Sequence, residues 1–161
     1  MAKHTSLKSL LSMPVIKVMD KKEIEHNIPH RDPFLLVDEV RMLEERKLYI
    51  GVKHVTGKEY FFKGHFPQTP IMPGVLVLES ISQAFGAAAM PFVSKLGEIP
   101  LFLGVEEAKF RGMVVPGDTL HMPVQILRLG KLSRVYAEAY VNDKLCTQAY
   151  LTFILGENLH V

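Results

Sequence analysis

Two side chains suited to moving protons near neutral pH stand close together in this sequence. His65 opens the loop "GHFPQTPIMPG", and Glu79 lies inside the apolar run "GVLVLESISQAFGAAAMPFV". Histidine exchanges protons near neutrality and serves as a general base. A carboxylate among Val75, Leu76, Val77, Leu78 and Ile81 must find a strong partner or take up a proton, ready to donate it. As a pair, one group would remove a proton while the other delivers one to a leaving group. Simpler readings stand beside this one: a loop histidine that is merely solvated, and a structural glutamate capped by neighbouring donors.

Three further residues belong to the same stretch. Gly74 follows Pro73 at the expected start of a helix, where a backbone N–H without a helical acceptor, aligned with the helix dipole, can bind a developing oxyanion; helix-start geometry alone also accounts for it. Gln83 lies four residues after Glu79 and Gly86 three further on, so all three share one stripe. A Glu79–Gln83 hydrogen bond would hold the carboxylate in one orientation. Gly86 would either leave room for a ligand chain or allow close helix–sheet packing.

The remaining candidates carry weaker signals. His26 and His30 in "HNIPH" are four apart, but Pro29 breaks the helix that would align them and no third ligand follows, so no metal site is expected. In "KFRGMVVPGD", Lys109 and Arg111 should share one strand face with Phe110 on the other; a solvated face is the default, an acidic or phosphorylated partner the alternative. Cys146, the single cysteine, reads as a small core residue, and it excludes an intrachain disulfide. There is no glycine-rich phosphate loop or nucleophile elbow.

The elements that must position these residues follow from texture. "DKKEIEHNI" predicts a short helix ending before Pro29. "PFLLVDEVRMLEERKLYIGVKHV" predicts two strands broken around Glu44 to Lys47, although "EVRMLEER" also suits a helix. Prolines 67, 70 and 73 make residues 57 to 73 a shaped loop. The apolar run from Gly74 predicts a central helix that Pro91 kinks or ends, with Gly97 as a later stop. After Pro100, four β-rich runs are separated by "PGD", "GKL" and "NDK". Strands around one enclosed helix predict an α+β domain with a mostly antiparallel sheet.

Composition sets the outer limits. The length suits one domain over residues 1–161; residues 1–20 read as a flexible arm, since no convincing cleavage pattern follows the N-terminal lysines. A net charge of +2 is too small and dispersed for a nucleic-acid binder. Glu79, Gln83 and two prolines argue against a membrane span over residues 71–93, and one cysteine fits a reducing cytoplasm.

The segments "PHRDPFLLVDEV", "FFKGHFPQTPIMPGVLVLESISQA" and "KFRGMVVPGD", in order from about Ile24 to Leu155, resemble the bacterial 3-hydroxyacyl-acyl-carrier-protein dehydratases of fatty acid synthesis. The resemblance implies a hot-dog fold, an antiparallel sheet wrapped around a long central helix. It also implies homodimers, assembled as a trimer of dimers into a hexamer, with His65 of one subunit facing Glu79 of the other. On that pattern His65 takes the C2 proton of a 3-hydroxyacyl thioester, the Gly74 N–H polarises its carbonyl, and Glu79 helps expel the C3 hydroxyl as water. Gln83 would orient Glu79, Phe66 and Ile71 would wall the acyl tunnel, and Lys109 and Arg111 would meet the acidic acyl carrier protein or its phosphopantetheine. No metal or redox cofactor is implied.

Two departures from the pattern stand out. Gln68-Thr69 replaces a pair commonly glycine with asparagine or aspartate, and Leu101 or Phe102 stands where a tyrosine is common. A dehydratase/isomerase relative carries aspartate at the helix carboxylate, so Glu79 points to dehydration alone. A thioesterase on a similar fold and a non-catalytic acyl-thioester-binding regulator are the competing classes; the second would bring a DNA-binding segment, and none is evident.

Overall fold

The computed structural model describes residues 6–95 and 98–157; Gly97 lies outside the described residues. Short helices α1 (Leu7–Leu11) and α2 (Lys21–Asn27) flank strand β1 (Lys17–Met19). Strands β2 (Glu39–Glu44) and β3 (Leu48–His54) precede a 3₁₀ turn (Tyr60–Lys63) and the long helix α3 (Gly74–Val93). Strands β4 (Glu98–Phe110), β5 (Thr119–Arg128), β6 (Leu132–Val141) and β7 (Lys144–Glu157) complete the described residues. The seven strands form one sheet in the order β1-β2-β3-β5-β6-β7-β4, antiparallel at every pairing. It wraps α3, which touches β2 through β7. This is the α+β hot-dog arrangement expected above.

Local chemistry explains most boundaries. Asp20 caps α2 by accepting from the Glu23 N–H at 2.9 Å, and Ile28, extended before Pro29, ends it. "EVRMLEER" is strand up to Glu44, and the β2–β3 turn uses Arg46 at φ 60°. Asn142 and Asp143, at φ 47° and 60°, make the β6–β7 hairpin turn, whose twist matches that of the strands it joins. Along β5, Leu120, Met122 and Val124 are buried, the alternation of a strand packed on one face.

By length and composition α3 could cross a membrane, yet 67% of its most apolar window is buried within this fold. Its alanines at 84, 87, 88 and 89 are buried, and a Cβ at Gly51 of β3 would lie 2.6 Å from the Ala84 Cβ. That close approach brings the sheet onto the helix. Pro91 neither ends nor interrupts the helix, which runs two residues further. Its missing N–H would leave the Ala87 carbonyl unpaired, and Asn27 of α2 donates to that carbonyl from Nδ2 at 2.9 Å.

The N-terminal stretch differs from expectation. Residues 6–20, read as part of a flexible arm, form α1 and β1. Ser6 caps α1 through the Ser9 N–H, and β1 pairs with β2. The cause is a second apolar cluster on the sheet face away from α3, where Leu10 and Met13 cover Leu43, Ile50 and Val52. Strand β3 is therefore buried on both faces.

Candidate active site

His65 follows the 3₁₀ turn whose Phe61 and Phe62 are buried, and its N–H donates to the Phe61 carbonyl at 2.9 Å. The loop closes on itself: the Ile71 N–H donates to the His65 carbonyl at 3.0 Å, Phe66 and Thr69 exchange backbone bonds at 3.2 and 3.1 Å, and the Met72 N–H reaches the Val114 carbonyl at 2.8 Å. The imidazole Nδ1 lies 2.7 Å from the Ile71 carbonyl oxygen. A carbonyl can only accept, so Nδ1 carries the hydrogen, and in the neutral ring that leaves the lone pair on Nε2. The Phe66 ring stacks on the imidazole, centroids 4.1 Å apart.

Upstream, the loop rests on a buried ion pair. Lys53 donates to Glu59 at 2.8 Å and to the His54 carbonyl at 2.9 Å, with Asp38 at 3.9 Å. Glu59 also accepts from the N–H groups of Thr56 and Gly57. Burial alone would push its carboxyl up, but the bonds from Lys53 and the backbone outweigh that and hold it down at about 2.

Pro73 is the N-cap of α3 and Gly74 its first residue, so the Gly74 N–H has no helical carbonyl ahead of it. A cleft of about 380 Å³ is lined by His65, Ile71, Gly74, Phe110 and Met113 among others. A Cβ at Gly74 would lie 2.6 Å from Cδ1 of Phe110, so any larger residue would have to displace that ring.

Glu79 stands further along α3 with its side chain 21% exposed. Gln83, 1% exposed, donates from Nε2 to Glu79 Oε1 at 2.9 Å and to the Phe34 carbonyl at 2.8 Å. Its own Oε1 accepts from the Leu36 N–H at 2.7 Å. The amide therefore has one orientation, as the i, i+4 spacing suggested. His30, considered above only as a metal ligand, lies with Nε2 3.4 Å from Glu79 Oε1; the signal that could have found it was its place in "PHRDPF" beside the Phe34–Leu36 segment that holds Gln83. Gly86 is explained by packing, since a Cβ there would meet Ile28 at 3.1 Å and Pro100 at 3.5 Å.

Within one chain, then, His65, Ile71 and Gly74 share the cleft, with Phe66 stacked at its histidine. Glu79 and Gln83 form a separate group: the contacts described for His65 are with Ile71 and Phe66, and those for Glu79 are with Gln83 and His30. Lys109 and Arg111 are exposed; β4 ends at Phe110, so Arg111 lies just past the strand, with its N–H on the Cys146 carbonyl and its side chain directed to Gln148, the cross-strand partner of Lys109. The Arg111 Nε donates to Gln148 at 3.1 Å. Among the described residues no group of histidine, cysteine or acidic side chains could hold a metal ion.

The fold and this cleft define the class, a hot-dog domain with a histidine loop against the start of its central helix. The chain belongs to the FabA-like domain family, whose profile matches residues 28–150. It is 45% identical over 141 residues to a 3-hydroxyacyl-[acyl-carrier-protein] dehydratase FabZ of Desulforamulus reducens, covering 87% of this chain and 99% of that one. The FabZ dehydratase of Clostridium botulinum (strain Kyoto / Type A2) is 44% identical over 142 residues, covering 88% and 99%. Among solved structures, the dehydratase heterocomplex ApeI:P from Xenorhabdus doucetiae superposes with a TM-score of 0.71 at 15% identity, over 83% of this chain and 91% of that one. A mutant thioesterase of Pseudomonas aeruginosa superposes at 0.64 and 13% identity, over 89% and 98%. At such identities these two likenesses speak to the fold alone.

Proposed function

We propose that this protein dehydrates (3R)-3-hydroxyacyl-acyl-carrier-protein to trans-2-enoyl-acyl-carrier-protein and water in fatty acid elongation. The observation that carries the mechanism is the His65 tautomer: with Nδ1–H committed to the Ile71 carbonyl, Nε2 is the free base beside the cleft. It takes the C2 proton of the bound thioester. The carbonyl gains charge as that bond breaks, and the Gly74 N–H at the helix start stabilises it. Glu79 of the partner subunit protonates the C3 hydroxyl, which leaves as water with the C–O electron pair, and the C2–C3 double bond forms. Phe66 and Ile71 wall the acyl chain. Lys109 and Arg111 receive the acidic carrier protein.

A dimer is supported by what β4 leaves uncovered. This edge strand carries Leu103 at 58% exposure and Phe110 at 52%, and Phe110 lines the same cleft as Val75 of α3, itself 67% exposed; apolar side chains left uncovered along an unpaired strand suit a second copy. The arrangement proposed is one domain per subunit and a trimer of such dimers, working in the cytoplasm.

The test supplies a 3-hydroxyacyl carrier protein to the purified enzyme and follows loss of water by mass, with free thiol measured to separate thioester hydrolysis. His65→Ala and Glu79→Gln should each lower turnover by about 10²- to 10⁴-fold, the usual worth of a general acid or base, without loss of fold or oligomer. Mixed after subunit exchange, the two inactive variants should regain activity, because some sites then hold both intact groups. Wild-type rates in either variant would overturn its role; no recovery after verified exchange would overturn the cross-subunit site.

A further inference from the structure

We propose that His30 is a positioning residue for Glu79, donating from Nε2 to Oε1 so that Oε2 is the oxygen that carries and releases the proton. This rests on the reading of Glu79 as the acid. Gln83 already donates to Oε1 at 2.9 Å, and His30 Nε2 approaches the same oxygen at 3.4 Å. That is longer than a formed hydrogen bond and typical of a site that tightens when substrate arrives. Two donors converging on one oxygen make it the carbonyl-type acceptor of the acid, which leaves the hydroxyl at Oε2. As the reaction proceeds, the Oε2–H bond breaks, the proton joins the departing C3 oxygen, and the carboxylate left behind is held by the same two donors.

The other imidazole nitrogen decides which way the hydrogen bond runs. His30 Nδ1 is buried and finds no hydrogen-bond partner among the described residues. If Glu79 donated to Nε2, the ring hydrogen would sit on Nδ1 as a buried N–H without an acceptor. Orphaned donors of that kind are rarer than under-used acceptors and costly. The favoured tautomer therefore carries its hydrogen on Nε2, facing Glu79.

The surrounding segment holds the ring there. The Arg31 guanidinium folds back to the carbonyls of Ile28 and His30, and the Phe34 ring lies nearly parallel to the imidazole with centroids 6.4 Å apart. The Phe34 carbonyl and Leu36 N–H fix Gln83. One short stretch thus orients both donors that converge on Oε1.

The experiment measures kcat and KM on a 3-hydroxyacyl carrier protein for His30→Gln, His30→Asn and His30→Ala, each alone and combined with Glu79→Gln, together with thermal melting. Glutamine can place an N–H near the imidazole Nε2, whereas asparagine reaches only as far as Nδ1. His30→Gln should stay within about threefold of wild type, while the asparagine and alanine variants lose about tenfold in kcat with KM unchanged, the scale of one hydrogen bond to a charged group. In the Glu79→Gln background none should lower the residual rate further. Equal rates for the glutamine and asparagine variants at equal melting temperature would overturn the inference, as would additive losses in the double variants. Should the alanine variant not fold, the glutamine–asparagine contrast still decides. A wild type that forms no enoyl product brings down the proposed function and this inference with it. Full turnover by Glu79→Gln removes the acid assignment, and an inactive Glu79→Gln beside a fully active His30→Asn refutes the role of His30 alone.

Discussion

Around His65 the polar contacts run through the backbone: the Ile71 carbonyl on Nδ1, the paired bonds across the loop and, upstream, the N–H groups that the Glu59 carboxylate holds. Around Glu79 they are made by side chains, Gln83 and His30, projecting from α3 and from the loop after α2. The difference follows from the elements involved. A loop has N–H and C=O groups to spend on shaping itself, whereas a helix has already committed its backbone internally and can orient a carboxylate only through neighbouring side chains. The histidine should therefore tolerate side-chain changes nearby unless they undo the loop, and the glutamate should be sensitive to single substitutions.

The change most damaging to the loop is Lys53→Met. It leaves the Glu59 carboxylate buried without its cation, and breaking a buried pair from one side costs about 3–5 kcal/mol. Chemical denaturation should show that loss, and turnover should fall with it because the segment leading to His65 is released. Unchanged stability would mean that the ion pair does not hold the loop.

The same pair predicts an acid limb. Glu59 has its carboxyl lowered in the folded state from 4.5 to about 2, so its contribution is present in full above the unfolded value and disappears as pH falls from about 4.5 toward 2. A shift of that size corresponds to about 3 kcal/mol. Glu59→Gln should remove that part of the pH dependence, measured as melting temperature against pH. A parallel curve for the variant would assign the acid limb to other groups.

On the helix side, Gln83→Leu should cost about 1–3 kcal/mol for each buried group left unpaired, the Leu36 N–H and the Phe34 carbonyl. It should also lower kcat by freeing Glu79. Gln83→Glu would set a second carboxyl against Glu79 and should be at least as damaging. If Gln83→Leu lost stability but kept kcat, the amide would be a structural tie and nothing more.

Much of this was legible in the sequence, for identifiable reasons. Pro29, "NDK" and the Pro73-Gly74 start marked element boundaries because those residues have few conformations open to them. The i, i+4 spacing of Glu79 and Gln83 foretold their bond because a helix fixes that geometry locally. The folding of residues 6–20 was hidden, since Leu10 and Met13 are buried only by a second face of the sheet that no local pattern reveals. His30 was missed for a similar reason: its relation to Glu79 spans nearly fifty residues and depends on how the loop after α2 lies along α3. Pro91 misled because its missing donor is replaced from a distant element, by Asn27.

The smallest expected effect lies at Phe66, and it separates stacking from loop closure. Its ring lies on the imidazole, but its backbone pairs with Thr69 whatever the side chain. If the backbone alone fixes His65, Phe66→Leu should lose only the stacking term, about 0.5–1.5 kcal/mol, seen as a rate loss of no more than about tenfold. Since Phe66 is also proposed to wall the acyl chain, the loss should grow with chain length and appear in KM more than in kcat. A large loss of kcat at every chain length would show that the ring, not the backbone, sets the histidine, and the contrast between the two halves of the site would fail at its simpler end.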